Sequence, residues 1–269
     1  MKSNSRFWVQ LAVVIGVPLA ALAAGPTKPD VKEPVESVGI FEGMKSGDIE
    51  VKVIPKDSTE GTITIKNKTG KPLTVKLPEA FAGVPVLAQG LLGGGGAGGG
   101  GGRNNGGGGG GGNQGMGGGM MGGGGMGGGM MGGGMFNVEP EKVAKVKIVL
   151  VCLDHGKKDP NPHVPYELVP IESYAKNAQV SEVVKMLSRG EIDQQSAQAA
   201  TWHLQNGLTW DELVHKIGVK HLNGSVEPYF TAVQLQRALT ATKVATDRAE
   251  KAAKEKSPSK SPGEAVAGQ

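Results

Sequence analysis

The hydrophobic pattern of the chain changes period once. From Val38 onward it has period two: Val51 and Val53 alternate with Glu50 and Lys52, and Ile63 and Ile65 alternate with Thr62, Thr64 and Lys66. Leu73, Val75 and Leu77 alternate in the same way with Thr74 and Lys76. Such alternation puts apolar side chains on one face of a strand and polar ones on the other. Asn67-Lys68-Thr69-Gly70 supplies turn residues between the last two runs and predicts a hairpin there. A further strand is predicted from about Val143 to Leu153, with Lys145 and Lys147 on its wet face. Cys152 shares parity with Val146, Ile148 and Leu150 and so faces the core. From Ile148 to Leu153 both parities are apolar, as expected of a strand end covered on two sides.

After Asp154 the period changes. Lys157 to Pro170 is proline-rich and irregular. Helical spacing follows over about Val180 to Ser188, Asp193 to Gln205 and Trp210 to Ile217, with Thr209 and Glu212 placed as a capping box for the third. Ser225 to Pro228 reads as the start of a last helix reaching Ala253. These elements predict an α+β protein: an immunoglobulin-like β-sandwich over residues 36–154, then a mainly helical subdomain over 155–250.

Composition interrupts this picture at one place. Of the 46 glycines in 269 residues, 30 fall in the 42 residues from Gly93 to Gly134, leaving ordinary usage elsewhere. No Gly-X-Y period suggests collagen, and the Gly-x-Gly-x-x-Gly spacings have neither the strand–helix context nor the Lys-Ser/Thr of a nucleotide site. Glycine without side chains to bury does not recover its backbone entropy. The sequence therefore predicts a disordered, expendable Gly/Met-rich insertion at 93–135, in a surface loop of the sandwich.

The ends of the chain bear on location. Lys2 and Arg6, the apolar run Phe7 to Ala20, and Ala21-Leu22-Ala23 predict a signal peptide at 1–23, followed by a Pro/Lys linker at 24–35. The expected location is periplasmic, cell-surface or extracellular, with no stable membrane span after signal cleavage. A polar, disordered tail is expected at 251–269. The formal charge of +4 falls to +2 once Lys2 and Arg6 leave, which gives no support to nucleic-acid binding. Asn67-Lys68-Thr69 and Asn223-Gly224-Ser225 are glycosylation-type sequons.

Cys152 is the only cysteine, so no intramolecular disulfide can form. It is either a small core hydrophobe or a functional thiol. Paired with His203 it would suggest a cysteine hydrolase, but no nucleophile-on-helix signature accompanies it. Cys152-x-x-His155 lacks the upstream histidine that a type-1 copper site needs. Met116, Met120, Met121, Met126, Met130, Met131 and Met135 are thioethers that could hold Cu(I) or Ag(I) softly. Gln198 and Trp202 lie four residues apart, on one helix face with Gln194.

Val151-Cys152-Leu153-Asp154, a proline-rich segment with Tyr166, a helix and then Gln198-x-Ala200-x-Trp202 together resemble the thioester domains of bacterial surface proteins, over about residues 143–213. Ala197 stands where that family has threonine, and Val151 where an aromatic usually precedes the cysteine. The resemblance implies a bond between the Cys152 thiol and the Gln198 acyl group, with Asp154 and Trp202 as supporting positions. It implies a surface interaction protein rather than an enzyme, without a cofactor, which attaches covalently to amines on a protein or polymer partner. The alternative is a non-covalent structural or binding protein of the cell envelope.

Overall fold

The computed structural model describes residues 36–86, 112–120 and 134–256. The expected signal peptide, the linker up to residue 35, most of the glycine tract and the tail from 257 lie outside the described residues. Among the described residues, no helix is long and apolar enough to cross a membrane.

The protein is α+β, with a β-rich core. The β half contains β1 (Glu36–Gly39), α1 (Ile40–Ser46), β2 (Ile49–Pro55), β3 (Glu60–Asn67), β4 (Leu73–Lys76), β5 (Phe81–Pro85), β6 (Met116–Met120), β7 (Met135–Val138), β8 (Val143–Cys152) and β9 (Tyr166–Pro170). A 3-10 turn (Ile171–Ser173) leads to α2 (Ala178–Ser188), α3 (Gln194–Asn206) and α4 (Trp210–Val214). The hairpin β10 (Ile217–Lys220) and β11 (Val226–Pro228) and the long α5 (Ala232–Lys256) complete the described chain.

The strands do not form the expected sandwich. Six of them close into a barrel in the order β2-β3-β8-β6-β5-β9, which removes free sheet edges. Three strands absent from the periodic pattern, β5, β6 and β9, make the closure. β9 emerges from the proline-rich segment and pairs with β5 and β2, while β6 emerges from the glycine tract and pairs with β5 and β8. Ile63, Ile65, Phe81, Met116, Ile148, Leu150 and Leu168 fill a common core with Leu73, Val75 and Val138.

The expected hairpin between β3 and β4 does not form either. β3 pairs with β2 and β8, while β4 joins a separate sheet of order β1-β4-β7. Asn67 explains the divergence: it is fully buried, and its Nδ2 donates to Lys71 O (2.8 Å) and Val138 O (2.9 Å). Its Oδ1 accepts from Thr69 N–H at 2.8 Å, so one side chain ties the turn into the second sheet. With its amide nitrogen occupied in this way, the first sequon is unavailable in the folded protein, whereas Asn223 is exposed.

Part of the glycine tract is load-carrying core rather than an expendable loop. On β6 a Cβ at Gly117 would lie 3.0 Å from Val184 Cγ2 of α2, and one at Gly119 would lie 2.3 Å from Ser188 Cβ. At Gly118, facing the barrel, it would lie 2.8 Å from both Leu150 Cδ2 and Phe81 Cζ. Over residues 117–119 the strand is sandwiched so closely that neither face admits a side chain. The ordering entropy of glycine is offset here by what packs against its backbone.

The second core lies between the barrel and the helices. Val151 of β8 and Leu153 just after it meet Val180, Val183, Val184 and Leu187 of α2, Ala197 and Ala200 of α3, and Ala238, Ala241 and Ala245 of α5. The two-sided apolar end of β8 is thus explained, with barrel core on one side and helices on the other. The last helix begins later than the sequence suggests, because residues 226–228 are taken up by β11.

Candidate functional site

Successive residues of a strand direct their N–H and C=O groups to alternate edges. At the end of β8, Leu153 N–H donates to Gly115 O on the β6 side, at 2.9 Å. Leu150 N–H donates to Thr59 O on the β3 side, at 2.7 Å, where β3 begins. Leu150 O and both backbone groups of Cys152 therefore face an edge that β3 no longer covers. A buried unpaired backbone group costs about 1–3 kcal/mol, so this edge needs partners.

Helix α3 supplies them from its side chains. Gln194 Nε2 donates to Leu150 O at 3.0 Å. One turn on, Gln198 Oε1 accepts from Cys152 N–H at 2.8 Å, and Gln198 Nε2 donates to Cys152 O at 2.9 Å. A primary amide presents a donor and an acceptor side by side, as a strand backbone does, so Gln198 completes the ladder. The spacing fits because four helical residues rise about 6 Å while two strand residues rise about 6.6 Å. A third rung follows, with the Trp202 ring 4.8 Å from that of His155, edge to face. Asp193 starts the helix at the right place by accepting from Ser196 N–H at 3.0 Å as its N-cap.

Cys152 and Gln198 are 1% and 2% exposed. The thiol is pushed well above its ordinary value of 9.0, first by burial and then by the negative charges of Asp159, Asp154 and Asp57, with Gln114 opposing. The thiol is therefore neutral at physiological pH. A free thiol here links stability to pH with a definite sign: the folded state keeps a proton that the unfolded chain gives up above about pH 9. The stabilisation is complete below that value and is lost as pH rises through it. Urea midpoints of the free-thiol protein should fall more steeply between about pH 8 and 10 than those of Cys152→Ala; parallel curves would contradict this.

Asp154 braces the turn that follows, accepting from Gly115 N–H (2.8 Å) and the Tyr174 hydroxyl (2.5 Å), with Lys157 Nζ 3.2 Å away. Trp202 is buried against His155, Tyr229 and Phe230. All four residues singled out from the sequence thus occupy one region. His203 does not join them: its Nδ1 contacts Leu208 O at 2.7 Å and its ring stacks on Trp210. Of the seven thioethers only three lie among the described residues. Met116 is buried in the barrel, Met120 packs against that core and Met135 lies on β7, while Met121, Met126, Met130 and Met131 fall outside the described residues. Among the described residues no group of three His, Cys, Asp or Glu side chains is placed to hold a metal.

Gln114 was not foreseen. It is 2% exposed, its Nε2 donates to Asp159 Oδ1 at 2.6 Å, and its backbone carbonyl accepts from the Tyr166 hydroxyl at 3.0 Å. Its amide reaches the Cys152 thiol, and its Oε1 is buried without a hydrogen-bond partner. The only sequence signal was the break that Asn113-Gln114 makes in the run of glycines. Lys216 and Tyr229, beside Trp202, also went unnoticed.

Comparison of the chain with family models, characterised proteins and solved structures gives no match.

Proposed function

We propose that the protein is an exported interaction protein that attaches covalently to amines through a Cys152–Gln198 thioester. The observation that carries this reading is the hydrogen bond of 2.8 Å from Cys152 N–H to Gln198 Oε1. That bond polarises the amide carbonyl and places the cysteine's own N–H where negative charge develops during attack by its sulfur. Sulfur adds to Gln198 Cδ, the C–N bond breaks, and Nε2 leaves as ammonia with the thiol proton. Orientation replaces a bimolecular collision in this step. A partner amine then attacks the same carbon, the C–S bond breaks, and the thiol regains a proton from the amine. The segment 1–23 supports export to the periplasm, the cell surface or the exterior.

A second reading is favoured by Gln194, which pairs with Leu150 O where no thiol is present. On that reading both glutamines only cover the strand edge, and the protein binds non-covalently. Intact mass separates the two. A thioester lowers the mass of the processed chain by one ammonia and protects Cys152 from alkylation after denaturation. Methylamine restores both the mass, with its own addition, and the reactive thiol. A full mass with a freely alkylated Cys152 overturns the covalent reading.

A further inference from the structure

Trp202 lies one helical turn beyond Gln198, and His155 three residues beyond Cys152, so their contact extends the same site outward. Tyr229 adds a second aromatic face, with its ring centroid 5.4 Å from that of Trp202. Into this corner Lys216 sends its ammonium: Nζ lies 5.1 Å from the Trp202 centroid and 5.3 Å from the Tyr229 centroid. Its third contact is His155 Nε2, at 2.9 Å. No ion pair holds Lys216 among the described residues.

Two π faces and a neutral imidazole nitrogen form a receptor for a primary ammonium group. Trp202 is the buried floor, Tyr229 a half-buried wall and His155 an exposed rim, so the corner opens to solvent. Lys216 enters on a flexible four-carbon stem from the connection between α4 and β10. Its backbone stays anchored by Tyr229 N–H, which donates to Lys216 O at 2.8 Å. The side chain can therefore leave without unfolding the hairpin. Burial lowers the proton affinity of the Lys216 amine, the direction needed by an amine that must become a nucleophile.

We infer that the corner formed by Trp202, Tyr229 and His155 is the subsite for the partner's primary amine, a lysine-type side chain, and that Lys216 is a resident occupant which must swing out before the partner enters. This rests on the thioester reading for its chemistry, but not for its binding step. An incoming ammonium group in place of Lys216 Nζ donates to His155 Nε2, which takes the first of its two lost protons as nitrogen attacks Gln198 Cδ, while the second goes to the departing Cys152 sulfur. The site is thus both selective for alkylammonium groups and self-occluded.

The test uses butylammonium as a lysine mimic and a Cys152→Ser background in which no thioester can form. Binding is read from the Trp202 indole N–H resonance. Lys216→Ala should bind butylammonium saturably and at least about ten-fold more tightly than the chain that keeps Lys216. Adding Tyr229→Leu to Lys216→Ala should weaken binding again. Equal affinity with and without Lys216, or no saturable shift in folded Lys216→Ala and Lys216→Met, overturns the inference. In the chain with Cys152, Lys216→Ala should also speed methylamine opening by about ten-fold. If intact mass shows no thioester, that last arm reports only the failure of the covalent chemistry, and the indole titration still decides the subsite.

Discussion

Gly119→Val is expected to abolish cooperative folding or to cost roughly 3 kcal/mol or more, the upper range of overpacking in a filled core. Its Cβ alone would lie 2.3 Å from Ser188 Cβ and 2.5 Å from the Glu79 backbone oxygen. Neither is the far end of a flexible side chain, so α2 would have to lift off the barrel. That movement would also uncover the apolar seam of Val151, Val183 and Val184. Gly112→Ala, in the same tract, meets nothing within 4 Å and is expected to stay within about 0.5 kcal/mol of the parent. Urea unfolding of the two variants checks the contrast. Equal stability would mean that β6 is not part of the barrel.

The second large effect belongs to Gln198. Gln198→Leu keeps most of the volume but strands Cys152 N–H and Cys152 O in a buried site, at about 1–3 kcal/mol for each group. The expected loss is therefore roughly 2–6 kcal/mol relative to a chain whose Gln198 amide is intact. Gln194→Leu releases only Leu150 O and should cost about half as much. Gln198→Glu should be mildest in acid, where a protonated carboxyl reproduces the donor and acceptor of the amide. Above its titration the carboxylate would face Cys152 O and stability should fall. A Gln198→Leu chain within about 0.5 kcal/mol of the parent would refute the edge-pairing role.

Much of the site was legible because its chemistry follows local periodicity. The alternation around Ile148, Leu150 and Cys152 locates the thiol at a strand end, and the four-residue step from Gln194 to Gln198 to Trp202 sets one helix face. What could not be read was the pairing that depends on absent or hidden side chains. β6 has three consecutive glycines and so shows no alternation, although the close approach of α2 and Phe81 gives each a definite place. In β9, Tyr166 and Leu168 do alternate with Glu167, but prolines at both ends disguise a strand of five residues. Without these two strands and β5 the remaining alternation describes an open set of strands, which is why it reads as a sandwich rather than a barrel. Asn67 looked like an exposed turn residue, yet its burial diverts β4 into another sheet.

The same missing strands hid part of the chemistry. Gln114 arrives beside the thiol only because Met116 is in register with Cys152 across β6 and β8. The protein thus sets two buried glutamine amides against one cysteine, in different roles. Gln198 lies along the strand edge on the Cys152 backbone, and Gln114 is held by Asp159.

Isotope-labelled methylamine separates these roles and tests the covalent proposal most directly. After incubation with the native protein and proteolysis, the account predicts one label per chain, on the side chain of Gln198, with Cys152 released as a thiol. Cys152→Ser should take up none. Label on Gln114, or no label on a folded chain, would contradict the Cys152–Gln198 thioester.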